Sequence, residues 1–153
     1  MRLSFLLLAA LAAGCQTHPA QETTTTPTAP PPARQAPAAA LRETHWVPRQ
    51  LVGQPVTVPP DTREPYLTLR ADGTAEGNGG CNRFRGSFFS EKAGDLTFSP
   101  LMSTRMACPA IKTENEFTRA LAQSRTYRIS GDTLRLFDAT NAAVARLEAV
   151  YLH

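Results

Sequence analysis

The 153-residue chain has few of the side chains on which most enzymatic sites depend. It contains only three histidines, His18, His45 and His153, and no Cys/His cluster with the spacing of a zinc site. Acidic residues are scattered singly, and Glu114 and Glu116 fall on different faces of an expected helix, so no paired-carboxylate site is indicated. The sequence therefore predicts no catalytic residue, no metal site and no cofactor.

The part of the chain that can fold also lacks a block of one charge sign. Residues 42–153 hold fourteen Lys or Arg against twelve Asp or Glu, and the two signs are interspersed. Non-specific nucleic-acid binding depends on clustered basic contacts to phosphates. We therefore expect no nucleic-acid partner.

Long apolar runs are absent after the N-terminal segment, so we expect no transmembrane helix in the mature chain. Arg2 and the apolar run at residues 3–13 have the form of a secretory signal peptide, and this run is too short to span a bilayer. The segment Leu11-Ala12-Ala13-Gly14-Cys15 resembles a bacterial lipobox. We expect residues 1–14 to be removed and Cys15 to be lipidated; the alternative is an ordinary signal peptide with an incidental cysteine.

A lipid on Cys15 would anchor the protein in the cell envelope. By resemblance to the sorting rule of enteric bacteria, Gln16 in place of Asp favours the outer membrane, facing the periplasm. Residues 15–41 are rich in Thr, Pro and Ala and contain almost no large apolar side chains, so they predict a disordered tether. At about 3.1 Å per residue, residues 16–41 would reach roughly 80 Å when fully extended. A Pro-rich docking ligand is the alternative role for this segment.

Residues 42–153 are apolar enough to form one domain with one core. Short alternating runs separated by Asp/Gly turns at residues 71–73 and 130–132 predict an antiparallel sandwich or barrel. The strand candidates are Trp46 and residues 66–69, 87–89, 96–98, 127–129, 134–137 and 142–152. In the last of these, Leu147 and Tyr151 would share a face, and a bulge could shift the register. We expect a mainly β fold, a compact antiparallel barrel-like domain with one helix packed on it.

Residues 110–123 break the β pattern and predict the one substantial helix. It would start at Pro109, where a missing N–H costs nothing, or at Thr113, which with Glu116 fits a capping box. An apolar stripe along this helix, at helical spacing, would cover an open side of the sheet. Its members, one of them polar, are Ile111, Glu114, Phe117 and Leu121.

Two cysteines remain once Cys15 is assigned to the lipid, and pairing Cys81 with Cys108 leaves no odd thiol. In the chain-entropy model, closing this loop would stabilise the folded protein by about 3.5 kcal/mol, before any strain in the native bridge is subtracted. An oxidising periplasm favours the bridge. The alternatives are separate buried thiols and a redox or metal site, and Cys81 could also pair with His45 as a nucleophile.

Four glycines surround Cys81 within residues 77–86, which suggests a phosphate cradle. The run lacks the Gly-Lys-Ser/Thr of a P-loop and leads into a strand, so nucleotide binding is not indicated. We expect Asn82 to form hydrogen bonds with the backbone at a turn, and Phe84 and Phe88 to enter the core. A candidate anion site, if the side chains converge, consists of Arg83, Arg85 and Arg105; solvated surface arginines are the alternative.

Two blocks of sequence are similar to the META domain family, including its HslJ-like bacterial lipoproteins. They are Gly80-Cys81-Asn82-Arg83-Phe84-x-Gly86 and Ser103-Thr104-Arg105-Met106-Ala107-Cys108-Pro109. The resemblance extends over roughly residues 44–150. It implies a compact barrel-like domain with a helix, found in envelope proteins and sometimes associated with heat shock or novobiocin resistance, without established catalytic residues. The motif positions are Gly80, Asn82, Arg83, Phe84, Gly86, Thr104, Met106 and Pro109.

These features predict a non-catalytic, monomeric binding or scaffolding module. It would be tethered to the membrane, contact an envelope protein partner and support envelope integrity or stress tolerance. The alternative is a carrier of a small apolar ligand inside a lipocalin-like barrel. A thiol–disulfide enzyme is a third hypothesis, although the cysteines are not in the Cys-x-x-Cys spacing of such enzymes.

Overall fold

The computed structural model describes residues 37–151, which form ten strands and one helix. The expected signal peptide, Cys15, the expected tether up to residue 36 and His153 lie outside the described residues. The strands are β1 (His45–Leu51), β2 (Gln54–Pro55), β3 (Tyr66–Leu69), β4 (Thr74–Asn78), β5 (Arg83–Phe89), β6 (Thr97–Phe98), β7 (Met102–Ser103), β8 (Thr126–Ser130), β9 (Thr133–Phe137) and β10 (Ala143–Val150), and the helix is α1 (Ile111–Gln123). Within residues 37–151, no helix has both the length and the apolar character needed to cross a membrane.

The strands form one antiparallel sheet in the order β6-β5-β4-β3-β1-β10-β9-β8, with β2 added beside β1 and β7 beside β5. The expected barrel-like closure is wrong, because β6 and β8 do not pair as strands. In the described part of the chain, the two ends of the sheet meet at an isolated bridge between Asp95 and Thr126. Tyr127 N–H also donates to Gly94 O at 2.7 Å. These contacts bring the ends together without closing the hydrogen-bond ladder.

Helix α1 covers the core side of the sheet, as the apolar stripe predicts for Phe117 and Leu121, both of which are fully buried. Ile111, also assigned to the stripe, is instead 40% exposed. The predicted helix starts are wrong, because the N-cap residue is Ala110 and it makes no side-chain capping bond. The strand residues in the same core include Trp46, Leu67, Leu69, Phe84, Phe88, Leu134, Leu136 and Leu147.

Strand β4 was not among the sequence candidates, and its composition explains why. Its buried positions include Ala75 and Gly77, which are too small to give an alternating apolar pattern. A Cβ at Gly77 would overlap the carbonyl oxygen of Tyr66, so this position cannot carry a larger residue without movement. Small side chains here allow neighbouring strands and the Phe84 ring to approach.

Strand β10 contains the irregularity considered for the last strand, a register shift between Ala143 and Ala145. The strand ends at Val150. Tyr151 lies beyond it and is 59% exposed, so it does not share the buried face of Leu147 as expected.

Packed contacts begin at Ala39, within the segment assigned to the tether. Ala39 N–H donates to Gly131 O at 2.9 Å, and the Trp46 indole N–H donates to Leu41 O at 3.0 Å. Ala39 and Leu41 both pack against the core. The chain therefore enters the domain along the turn between β8 and β9.

Candidate functional site

A disulfide between Cys81 and Cys108 joins the loop before β5 to the loop before α1. The two Cα atoms lie 5.7 Å apart. Of the alternatives that the sequence left open, the structure therefore contains the bridge. Cys81 carries no thiol in this state, so it does not form a nucleophilic pair with His45.

Beside the disulfide, Asn82 and Glu114 form a buried network that links three segments of chain. Glu114 Oε2 accepts hydrogen bonds from the backbone N–H groups of Asn82 at 2.6 Å and Cys81 at 3.2 Å. Its Oε1 accepts from Asn82 Nδ2 at 2.7 Å. The Asn82 amide in turn bonds both the N–H and the C=O of Met106, and accepts from Thr104 Oγ1. Because these buried polar groups are satisfied, the network fixes the loops relative to α1.

The glycines before Cys81 make room for this network. A Cβ at Gly79 would overlap the Glu114 side chain. Gly80 has φ +117°, and a Cβ there would lie 2.9 Å from the Cβ of Ala110. The glycine-rich run thus serves close packing against α1.

The other motif residues divide between the core and the surface. Phe84 is buried with its ring centroid 5.9 Å from that of Phe117, and Gly86 lets Leu101 pack closely over β5. The side chains of Arg83 and Pro109 are exposed. Folding therefore explains most of the motif, and Arg83 is the charged motif residue left facing solvent.

Two open grooves flank the arm, which we define as residues 101–106. The α1 groove, of about 700 Å³, lies between the arm and the helix residues Ile111, Asn115 and Thr118. The β5 groove, of about 510 Å³, lies on the other side against β4 and β5. Met102 and Met106 on the arm are 75% and 67% exposed. The arm therefore presents flexible apolar side chains between two grooves, on a base held by the Asn82–Glu114 network.

The arm also carries an open strand edge. Strand β7 pairs with β5, and Thr104 N–H donates to Arg83 O at 3.3 Å. Successive residues of an antiparallel strand direct their backbone groups to opposite sides. The N–H and C=O of Ser103 therefore point away from β5, where another strand could pair with them.

The arginines proposed as an anion site do not converge on one place. Arg83 and Arg85 line the β5 groove, and Arg105 lines the α1 groove. All three side chains are exposed. They instead give both grooves a positive border.

His45 is the one histidine among the described residues, and its ring stacks on Tyr66 with centroids 4.4 Å apart. Partial burial lowers the pKa of His45, an effect opposed by the negative charge of Glu64. Within residues 37–151, no group of three His, Cys, Asp or Glu side chains has the geometry to hold a metal ion.

Sequence reasoning missed Glu114 and Ser103 as site residues. Glu114 stood out only as the polar member of an apolar stripe, and that mismatch is the signal by which a buried acceptor could have been found. Ser103 carries no comparable signal, because its role depends on which side of β7 remains unpaired.

Comparison with known proteins finds a matching family model and two similar solved structures. The family model of the META domain matches residues 39–151. An NMR structure of an E. coli protein is 24% identical, covers 70% of this chain and 89% of its own, and superposes with a TM-score of 0.55. A crystal structure of a DUF4847 family protein from Bacteroides vulgatus is 20% identical over 58% of this chain and 61% of its own, with a TM-score of 0.47. No curated protein matches the chain.

Proposed function

The chain belongs to the META domain family, and from this premise we propose that it is a non-catalytic binding module of the bacterial cell envelope. A lipid on Cys15 holds it at the membrane, and the domain contacts a protein partner in the periplasm. Through this contact it supports envelope integrity or stress tolerance.

The observation that carries this proposal is the open edge of β7 between two exposed methionines. An extended segment of a partner can add to such an edge, where backbone hydrogen bonds give affinity and side-chain pockets give specificity. Met102 and Met106 suit this role because the unbranched thioether side chain adapts to different apolar surfaces.

The charges beside the edge indicate the chemistry of the partner. Arg83, Arg85 and Arg105 border the two grooves. The one carboxylate on the β5 side, Glu76, is already paired with Arg70 at 2.7 Å. We therefore assign the site to an extended segment that carries apolar side chains next to acidic ones.

Rigidity of the base supports the same assignment. The Cys81–Cys108 disulfide and the Asn82–Glu114 network hold the loop before β5, the loop before α1 and the helix itself in fixed positions beside the arm. A surface that is ordered before binding loses less conformational entropy when the partner docks.

A photo-reactive amino acid placed at Met102 of the full-length protein tests the proposal in living cells. We expect one reproducible crosslinked envelope protein, identified by mass spectrometry. The same probe at Val58, an exposed apolar position in the loop before β3, should not capture it. Equal capture from both positions, or no capture at Met102, would contradict a binding site on the arm.

Substitution of Ser103 tests the strand-pairing mode separately. Ser103→Pro removes the outward N–H but leaves the bond from Thr104 N–H to Arg83 O in place. Ser103→Ala keeps the N–H. We expect the proline variant to lose the Met102 crosslink and the alanine variant to retain it; retention in both would rule out pairing at this edge.

The carrier hypothesis has less support. Lipocalin-like carriers hold their ligand inside a closed barrel. Here the sheet is open, and its core side is filled by large side chains including Trp46 and Phe117, which are fully buried. Recovery of a bound lipid with the purified protein would revive this alternative.

A further inference from the structure

A row of arginines crosses the outer face of the sheet, away from the arm. Arg128 on β8 lies directly opposite Arg135 on β9, and Arg135 lies directly opposite Arg146 on β10. Gln50 on β1 continues the row opposite Arg146. Like charges placed directly opposite each other destabilise an antiparallel sheet, so this arrangement is unfavourable unless an anion or solvent offsets the repulsion.

The protein itself offsets only part of this charge. Glu148 accepts from Arg146 at 3.2 Å, and it is shared with Arg49, which also pairs with Glu64. Arg128 stacks on the Phe137 ring, with its guanidinium carbon 4.8 Å from the ring centroid. In the part of the chain that the structure describes, Arg135 forms no ion pair within 4.0 Å, so it is the uncompensated centre of the row.

An unpaired polar atom lies at the same place. Arg146 Nε is buried and has no hydrogen-bond partner among the described residues. Arg146, Arg135 and Gln50 line a small cavity of about 110 Å³. Buried donors are normally satisfied, and an acceptor oxygen held in this cavity, from water or from a ligand, would lie beside this one.

We propose that Arg135 and Arg146, which line this cavity, bind a phosphate monoester group, with Arg128 adding positive charge opposite Arg135. The row and its ion-pair partners carry four guanidinium groups against two carboxylates, an excess of two positive charges. A phosphate monoester carries close to two negative charges at neutral pH. The planar guanidinium fork matches the geometry of phosphate oxygens. The cavity is far smaller than a typical small-molecule pocket, so it takes the phosphate group alone and leaves the rest of the ligand in solvent.

Titration of the full-length protein in neutral detergent with inorganic phosphate tests the site, with the arginine Nε–H resonances followed by NMR at constant ionic strength. We expect saturable shifts of Arg135 and Arg146. Arg135→Gln should weaken binding at least about tenfold, because charge-assisted bonds to phosphate are lost. Arg119→Gln, which removes the same charge from the exposed face of α1, should change the affinity less than about twofold. Equal losses in the two variants, or shifts that do not saturate, would overturn the proposal.

Vesicles then identify the source of the phosphate. Phosphatidylcholine vesicles with and without phosphatidic acid are sedimented with the wild-type protein and with both variants. Additional binding to phosphatidic acid that Arg135→Gln abolishes and Arg119→Gln retains supports a lipid headgroup as the ligand. A saturable response to inorganic phosphate, with no effect of phosphatidic acid, supports the same site with a soluble phosphate ligand.

Discussion

At the scale of single residues, Glu114 has the strongest consequence for stability. A glutamine at this position has one acceptor oxygen, so its NH2 group must face either two backbone N–H groups or the Asn82 amide. Glu114→Gln should therefore lower the free energy of unfolding by about 1–3 kcal/mol, measured by urea denaturation. Glu116→Gln, two residues along the helix and half-exposed, is the matched control and should change it by less than about 0.5 kcal/mol. Equal effects would show that the network does not stabilise the fold.

Gly80 provides a second test at this scale, with Gly131 as its control. Both have positive φ, +117° and +56°, but a Cβ at Gly80 would meet Ala110, whereas one at Gly131 finds open space. Gly131→Ala should cost about 1–2 kcal/mol, the usual penalty of a left-handed conformation. Gly80→Ala should cost more, because steric overlap adds to the backbone penalty. A smaller loss at Gly80 in urea denaturation would contradict the close packing against α1.

These residues show what the sequence could and could not predict about the site. The spacing of cysteines and the motif around Asn82 pointed to the correct two loops. The partner of Asn82 could not be predicted, because Glu114 lies 32 residues away and meets it only when α1 packs on the sheet. Arg135 was overlooked for the same reason: its neighbours in the row are defined by strand register.

At the scale of elements, the disulfide joins the loop before β5 to the loop before α1, and neither cysteine lies in a strand. Replacing both cysteines, Cys81→Ala with Cys108→Ala, should lower the free energy of unfolding by about 2–4 kcal/mol, since the 27-residue loop is no longer closed in the unfolded chain. The wild-type protein measured under reducing conditions should approach the same value. If reduction leaves the unfolding free energy unchanged, the bridge does not stabilise the domain.

Prediction of the elements succeeded where local patterns were strong. Residues 133–136 alternate polar and large apolar side chains, and β9 forms there; the helical stripe at Phe117 and Leu121 likewise gives α1. Strand β4 lacks this pattern because its neighbours require small residues. Barrel closure depends on whether the chain between residues 94 and 98 pairs along the whole of β8, a long-range property that no local pattern encodes.

At the scale of the whole molecule, the two proposed surfaces use different elements. The arm depends on β5, β7 and α1, whereas the arginine row lies on β8, β9 and β10. Because Ser103 and Arg135 share no hydrogen-bond or ion-pair partner among residues 37–151, their variants should act independently. A domain with two separate contacts could hold a protein segment and a phosphate-bearing ligand at the same time.

The proposed lipid anchor gives the last prediction, which concerns Cys15. If Cys15 carries lipid, the full-length protein should incorporate labelled palmitate in growing cells and partition into the detergent phase on phase separation. Cys15→Ser should lose both properties, because in this proposal the acyl chains on Cys15 are the membrane attachment. Cys81→Ala with Cys108→Ala is the control for general effects of cysteine loss and should keep the label. Label retained by Cys15→Ser would place the lipid on another residue. An unlabelled wild-type protein in the aqueous phase would instead favour the alternative, in which residues 1–14 are an ordinary secretion signal and the domain is not lipid-anchored.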